Sequence, residues 1–390
     1  MTSTETLTPP RRATKQKVLS IQMCRGIAVV AVVLSHLSEL ERSYFGSTHT
    51  ALFRMGNFGV DIFFIISGIV ISMVTAGKFG SVRNAARFGY HRFARIYPIF
   101  WFYFAVALAI FLYKPNLINA LKGHQVHLVR SFFLIPSGSP NLIVQAWTLS
   151  HELTFYIVFC VLIMSIRERY VPICLGLWGS GIIALGLFHV SYDNVFLALI
   201  LSPFNLEFIA GCCLYYIFRR RERRYNPGPG LLAASLLWIG ALAFWAFYAH
   251  KSDTLWIDEH SWNRLALYGP FAFLFIWGLL ELERREKLIS ASSLEAVGDW
   301  SYSIYLSHLL LIAAIGRPIA HMLSASKLGF VLAYLVIVPT VLLFGFASYN
   351  WIERPLMRAL YKGTPKAKSH LSHALRLVPR RIRGRRAQVS

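Results

Sequence analysis

The sequence predicts an all-α integral membrane protein with about ten transmembrane helices and both termini in the cytoplasm. Apolar residues make up 56% of the 390 residues and charged residues only 15%, whereas soluble domains carry about 25% charged residues. Windows of roughly 20 apolar residues follow one another along the chain. Most of the 40 Lys and Arg residues fall in the loops on one side of those windows, which is the pattern expected of cytoplasmic loops.

The apolar windows also define the domain organisation. The transmembrane domain is expected at 18–358, between a disordered basic segment at 1–17 and a basic cytoplasmic tail at 359–390. The basic inner loops and the tail are expected to contact anionic lipid headgroups and not nucleic acid. The chain is therefore predicted to be a multi-pass protein of the inner (plasma) membrane. The predicted spans are 18–38, 58–77, 96–113, 147–165, 171–190, 195–218, 230–249, 264–282, 301–322 and 328–350.

The first predicted span carries two polar residues, Arg25 and His36, inside one long apolar segment. A charged side chain at membrane depth costs at least about 2.5 kcal/mol on insertion scales, so such residues indicate function. Their offset of 11 residues corresponds to about 1100° of helical rotation, which returns to within about 20° of the starting direction. Both side chains should share one helix face, roughly 16 Å apart, as two points on one transmembrane path.

The second predicted span has Asp61 near its outer end, and two interpretations of this carboxylate remain open. It caps the helix, or it pairs with His36, which lies at a similar depth on the preceding span. Further along the same span, Ser67 and Gly68 are small enough to permit close approach of a neighbouring helix.

The loop before the third span contains several arginines, most of which follow the positive-inside rule. Arg92 and Arg95 are three residues apart and therefore face one way on a helix. Guanidinium groups suit phosphates, because their planar fork matches the phosphate oxygens. These two residues are thus predicted to form a docking site for a nucleotide-bearing donor that arrives from the cytoplasm.

The fourth span begins with a second group of polar residues that includes Ser150, His151 and Glu152. These three are not a nucleophile triad, because consecutive helical residues point about 100° apart. Nor is this a zinc-protease helix, since Phe155 stands where the second histidine would be. Glu152 is therefore expected to be buried near the outer end of the span, at roughly the level of His36, with that imidazole as its partner.

Two later spans contain further intramembrane polar residues. Pro203 predicts a kink in the sixth span, beside Glu207, which is either a structural pairing partner or a residue of a transport or reaction pathway. Tyr305 and His308 are three residues apart on the ninth span and share a face, which makes both candidates for the donor site. A histidine in a span is often an interhelical hydrogen bonder, and a catalytic role for His308 is the alternative.

The predicted residues indicate a reaction class. A histidine beside a carboxylate can act as a general base, because the carboxylate fixes its tautomer and stabilises the imidazolium. Such a pair fits acyl transfer to an alcohol, and the arginines would suit a phosphorylated thioester donor. The alternative is a secondary transporter of a small anionic or sugar substrate, although the internal repeats that such transporters usually show are not visible in the sequence.

Several short motifs together resemble one family of membrane proteins, acyltransferase family 3. The resemblance covers about residues 18–358, and the chain is similar to bacterial exopolysaccharide, O-antigen and Nod-factor O-acetyltransferases. The motifs are Arg25 and His36 with ten residues between them, Gly59 to Gly68 with its Asp-Ile-Phe-Phe core, Arg92-Phe-Ala-Arg95-Ile-Tyr-Pro, Trp147-Thr-Leu-Ser-His-Glu152, Ser301-Tyr-Ser-Ile-Tyr-Leu-Ser-His308 and Ile352-Glu-Arg-Pro355.

The resemblance implies an all-helical, ten-span enzyme that uses no metal. It would move an acyl group, usually acetyl from acetyl-CoA, onto a hydroxyl of a glycan or a lipid-linked saccharide. His36 would be the essential base, Arg25 its partner in the signature, and Glu152 the acid of the fourth-span motif. Arg92 and Arg95 would correspond to the basic motif that serves the acyl-CoA donor.

Overall fold

The computed structural model of the chain describes residues 18–45, 51–117, 126–137, 139–220, 226–248, 262–323 and 329–361. Over this part of the chain the fold is all-helical and contains no β-strand. Ten of its helices are long and apolar enough to cross a membrane, which confirms the number of spans predicted from the sequence. The segment predicted to be disordered, 1–17, and the tail beyond residue 361 lie outside the described residues.

The helices follow the predicted spans closely in order and position. They are α1 (Leu19–Leu40), α2 (Phe58–Thr75), α3 (Val82–Tyr113), α4 (Leu128–Phe133), α5 (Trp147–Ser165), α6 (Val171–Leu187), α7 (Val195–Ile200), α8 (Phe204–Arg220), α9 (Gly228–Tyr248), α10 (Trp262–Arg284), α11 (Ser292–Leu323), α12 (Gly329–Ser348) and α13 (Arg354–Tyr361). The starts of α3 and α11 differ from the predicted residues 96 and 301, because each helix begins in a polar segment that precedes its apolar window. α13 continues into the first residues of the predicted tail.

The sixth span is broken, as Pro203 predicts. It consists of α7 and α8, and the break leaves carbonyl oxygens at the end of α7 without helical donors, since proline has no N–H. The side-chain amide of Asn205 donates to the carbonyl oxygens of Leu199 and Ile200, at 2.8 and 2.9 Å. The predicted kink is therefore confirmed, and a side-chain amide satisfies the backbone at the break.

The helix that carries Arg25 and His36 packs against α11 over its length, and glycines bring the two backbones together. A Cβ atom at Gly26 would lie 2.3 Å from the carbonyl oxygen of Leu294, and one at Gly298 would lie 2.1 Å from that of Gln22. Small residues of this kind allow helices to approach closely in a membrane. The contact fixes which residues of α11 face Arg25 and His36.

Gly298→Ala is expected to destabilise the protein by about 1 to 3 kcal/mol, because overpacking would push α1 and α11 apart. The midpoint of thermal unfolding of the detergent-solubilised protein measures this loss. Gly240→Ala is the matched control, since a Cβ atom at Gly240 on α9 would meet nothing within 4 Å. Equal unfolding midpoints for the two variants would contradict a backbone contact between α1 and α11.

The start of α1 is held by an acidic residue of a distant helix. The carboxylate of Glu283, near the end of α10, accepts hydrogen bonds from the backbone N–H groups of Leu19 and Ser20 at 2.7 and 2.9 Å, and from the Ser20 hydroxyl. The first N–H groups of a helix have no intrahelical acceptor, and negative charge is favourable there. The start of α1 thus lies beside the end of α10 and the start of α11. This end of the bundle also carries Arg25, Arg92 and Arg95, and we call it the basic end.

Candidate active site

One cavity brings most of the predicted site residues together. Its volume is about 380 Å³, and it is lined by residues of α1, α2, α3, α5, α11 and α13. Five of its lining residues are ones that the sequence singles out, namely Arg25, Arg92, Arg95, Glu152 and Tyr305. The cavity therefore combines three guanidinium groups with one carboxylate inside an otherwise apolar bundle.

Arg25 enters this cavity from α1 and is held by α11. Its Nη2 atom donates a hydrogen bond to the hydroxyl oxygen of Ser301 at 2.8 Å. The charges of Glu353, Asp299 and Glu152 attract the guanidinium, whereas that of Arg95 repels it. The contacts between α1 and α11 place Arg25 where several helices meet. Its charge therefore interacts with charged residues of more than one helix.

Glu152 belongs to the same polar group as Arg25, and the predicted pairing with His36 is wrong. Its Oε1 atom accepts hydrogen bonds from the hydroxyl groups of Ser67, at 3.3 Å, and Tyr156. Its charge interacts with those of Arg25 and Arg95. The hydroxyl groups and the two cations together stabilise a carboxylate at this depth.

The depth of Glu152 explains why the prediction failed. The amide of Gln145, just before α5, donates to the carbonyl oxygens of Tyr305 and Leu306 at 3.3 and 2.9 Å, so α5 begins at the level of the middle of α11. Glu152 lies about 10 Å further along α5, toward the basic end. It therefore lies level with Arg25 and well below His36.

His36 contacts a second histidine, His308 of α11. The centroids of the two rings are 5.1 Å apart and the rings are inclined by 38°. Arg25 contacts α11 as well, so the prediction that Arg25 and His36 share one helix face is confirmed. Neither histidine lines the cavity, but the ring of Tyr305, which does, lies 5.7 Å from that of His308. A row of three polar rings thus leads from the cavity to His36.

The backbone fixes the protonation of His308. Its Nδ1 atom lies 2.7 Å from the carbonyl oxygen of Tyr305, and a carbonyl oxygen only accepts, so Nδ1 carries the proton. The side chain is fully buried, and its Nε2 atom has no hydrogen-bond partner among the described residues. A charged ring with an unpaired N–H group would be costly there, so His308 is a neutral imidazole with a lone pair on Nε2.

Asp61 belongs to a separate buried cluster, which corrects the second of its two interpretations, the pairing with His36. Its Oδ2 atom lies 2.9 Å from Nη2 of Arg264, and the two side chains are 0% and 3% exposed. The same nitrogen donates to the carbonyl oxygen of Asn57 at 2.8 Å, and the guanidinium lies over the ring of Phe204. A full positive charge is a stronger partner for a buried carboxylate than an imidazole, and α10 brings one to Asp61.

Glu207 joins the Asp61–Arg264 pair. Its carboxyl group is 2% exposed and interacts electrostatically with both Asp61 and Arg264. Of the two interpretations of Glu207, these contacts favour the structural pairing partner. Sequence reasoning did not identify Arg264, although buried acids in two apolar spans, Asp61 in the second and Glu207 in the sixth, indicate that a basic partner is needed.

Sequence reasoning gave no role to Tyr156 or to Ser301, although Ser301 begins one of the motifs. Tyr156 lies four residues after Glu152 and therefore on the same helix face, a spacing that could have identified it. The ring of Tyr156 lies 5.4 Å from the guanidinium carbon of Arg92, so this tyrosine connects the carboxylate of the cavity to its arginines. The partnership of Ser301 with Arg25 joins distant parts of the sequence and has no local signal.

The cavity is suited to anionic ligands. Guanidinium groups bind phosphate oxygens through paired, charge-assisted hydrogen bonds, and one carboxylate offsets only part of the charge of three arginines. In the part of the chain that the structure describes, no group of three or more His, Cys, Asp or Glu side chains is placed to hold a metal ion.

Comparison with known proteins gives matches over most of the chain. The profile of a family described as "Acyltransferase domain" matches residues 18–350. Exopolysaccharide production protein ExoZ of Rhizobium meliloti (strain 1021) is 31% identical over 315 residues, which cover 78% of this chain and 91% of ExoZ. Acyltransferase MdmB of Streptomyces mycarofaciens is 24% identical over 401 residues, which cover 92% of this chain and 96% of MdmB.

A third relative is longer than this chain. SAR0937 of Staphylococcus aureus (strain MRSA252), provisionally named an O-acetyltransferase, is 23% identical over 385 residues, which cover 91% of this chain and 59% of the staphylococcal protein. No solved structure matches the chain at a significant level.

Proposed function

Because the chain belongs to acyltransferase family 3, whose profile matches residues 18–350, we propose that it moves an acyl group from acyl-CoA to a hydroxyl of a cell-envelope or exported glycan. Family membership makes it an acyltransferase, and the relatives support membrane O-acylation. We propose in addition which donor and which acceptor it uses and what its residues do. The observation that carries it is the arginine-rich cavity.

The donor is acyl-CoA, which binds at the basic end. Acyl-CoA carries a diphosphate and a further phosphate at one end and its thioester at the other. Arg25, Arg92 and Arg95 supply the charge for the phosphorylated part. The positive-inside rule supports a cytoplasmic basic end, and we propose that both termini lie in the cytoplasm and the protein in the inner (plasma) membrane, where acyl-CoA is at hand.

The reaction takes place beyond Tyr305, near the two histidines. His36 accepts the proton of the acceptor hydroxyl while that oxygen attacks the thioester carbonyl, and the thiolate of CoA leaves and is protonated. The lone pair on Nε2 of His308 stabilises the proton-bearing form of the His36 ring, a role that the sequence analysis gave to Glu152. Glu152 instead positions Tyr156 and balances the charge of the arginines.

The acceptor is a saccharide hydroxyl that reaches His36 from the opposite side of the membrane. The name of ExoZ refers to exopolysaccharide production, and SAR0937 is provisionally named an O-acetyltransferase. Both names support a polysaccharide or a lipid-linked saccharide as the acceptor, with acetyl as the acyl group. The level of His36, about 16 Å from Arg25 along α1, fits an acceptor that never meets the nucleotide end of the donor.

Purified protein in vesicles is expected to transfer radiolabelled acetyl from acetyl-CoA to the surface glycan of cells that lack the protein. The label should be released from the glycan by mild alkali, as an ester is. Vesicles without protein provide the control. Absence of labelled ester, together with uptake of a saccharide or anion that needs no acyl donor, would contradict the proposal and favour a transporter.

A further inference from the structure

A second cavity lies at the basic end, next to the one that holds Arg25. Its volume is about 500 Å³, and its lining includes the arginines Arg95, Arg354 and Arg358 and the tyrosines Tyr349 and Tyr361. Arg95 and Tyr361 line both cavities. The two cavities therefore share a wall, and a long ligand could occupy both.

Helix α13 forms one side of this second cavity and is fixed to α3 by tyrosines. The hydroxyl of Tyr361 donates to the carbonyl oxygen of His91 at 3.1 Å, and the hydroxyl of Tyr90 donates to that of Leu360 at 3.0 Å. Arg354 and Arg358 are four residues apart and so share one face of α13. These contacts hold the two arginines beside Arg95, although the sequence analysis assigned Arg358 only to the end of the membrane domain.

The charge of the two cavities is strongly unbalanced. The two arginines of α13 that line the second cavity, Arg354 and Arg358, are exposed. Neither forms a salt bridge within the described residues. Glu353 accepts a hydrogen bond from Ser303 at 2.6 Å and interacts with the buried arginines on its inner side. The charged residues that line the two cavities are Arg25, Arg92, Arg95, Arg354, Arg358, Glu152 and Glu353, with one histidine, His91.

We infer that this second cavity binds the phosphorylated adenosine end of acyl-CoA, with Arg354 and Arg358 on its phosphates. The inference rests on the proposed function and extends it, because it assigns the donor two sites. The excess of three positive charges over the two carboxylates matches a ligand with several phosphate charges. Tyr349 and Tyr361 offer aromatic faces for adenine, and the shared wall at Arg95 lets the rest of the donor pass into the first cavity.

Arg354→Gln and Arg358→Gln are each expected to raise the KM for acetyl-CoA about ten-fold or more while kcat changes little, because a charge-assisted contact to a phosphate is lost. Initial rates of acetyl transfer in vesicles measure both constants. The matched control is Arg83→Gln, since Arg83 is an exposed arginine at the start of α3 that lines neither cavity. Adenosine 3′,5′-bisphosphate should compete with acetyl-CoA for the wild-type protein.

Three outcomes would overturn the inference without ambiguity. An active wild-type protein whose two variants keep the wild-type KM would remove the second cavity from donor binding and leave the proposed function intact. A rise in KM that occurs only in vesicles with anionic lipid would show that the arginines bind lipid headgroups. Equilibrium binding of radiolabelled adenosine 3′,5′-bisphosphate needs no turnover, so equal binding by wild type and variants would overturn the inference even if no acyl transfer is seen.

Discussion

His36→Ala is expected to lower the rate of acyl transfer by about 10²- to 10⁴-fold, the usual contribution of a general base. The ring is half-buried between α1 and α11 and is the polar group furthest along the row from the cavity through Tyr305 and His308. Without it, the acceptor hydroxyl loses the base to which the proposed reaction transfers its proton. Transfer of labelled acetyl from acetyl-CoA to the glycan in vesicles measures the loss.

The variant should remain folded and inserted in the membrane, because the ring pair with His308 is only a small part of the contact between α1 and α11. His321→Ala is the matched control, since His321 is an exposed histidine in the last turn of α11. Its transfer rate should equal that of the wild type. A His36→Ala protein with a wild-type rate would show that the base lies elsewhere.

Arg264→Met is expected to destabilise the protein by about 3 to 5 kcal/mol, because it leaves buried carboxylates without their cation. Asp61 is fully buried, and Glu207 lies beside it. Both side chains are shielded from bulk solvent in the folded protein. The midpoint of thermal unfolding in detergent, followed by tryptophan fluorescence, measures the effect.

The double variant Asp61→Leu with Arg264→Met separates the loss of a charge partner from the loss of packing. Replacing a whole buried ion pair with apolar residues is often neutral or stabilising, so the double variant should recover the part of the lost stability that is due to Asp61, while Glu207 stays without its cation. If it unfolds as early as Arg264→Met alone, the pair does not carry the stability of this region. A structural role also predicts that the double variant keeps the KM for acetyl-CoA.

The sequence predicted which side chains matter better than it predicted their partners. Burial of charge in lipid is costly, so Arg25, Glu152 and His308 stand out in any apolar window. The helical period shows which of them share a face, as it did for Arg25 and His36. Neither argument says which helix lies opposite, because the order of helices in a bundle depends on contacts between segments far apart in sequence.

The errors follow from that limit. Depth counted from the end of the apolar window predicts Glu152 at the level of His36. The hydrogen bonds of Gln145 to α11 instead set α5 deeper in the bundle. The sequence suggests His36 as a partner of Asp61 because the two lie on consecutive spans. The true partner, Arg264, lies far along the chain. The role of α13 could not be predicted, since a short basic helix after the last span resembles any other positively charged membrane flank.

The backbone contact at Gly26 and Gly298 restricts how the protein can move. At these two glycines the backbones of α1 and α11 touch without an intervening side chain, and separating the helices there would expose peptide groups to lipid. The contact between α1 and α11 beside Arg25 is therefore expected to stay closed during turnover. The proposed donor would therefore enter and leave on the side of α13, which tyrosine hydroxyls and the ring contact between His91 and Tyr361 hold to α3.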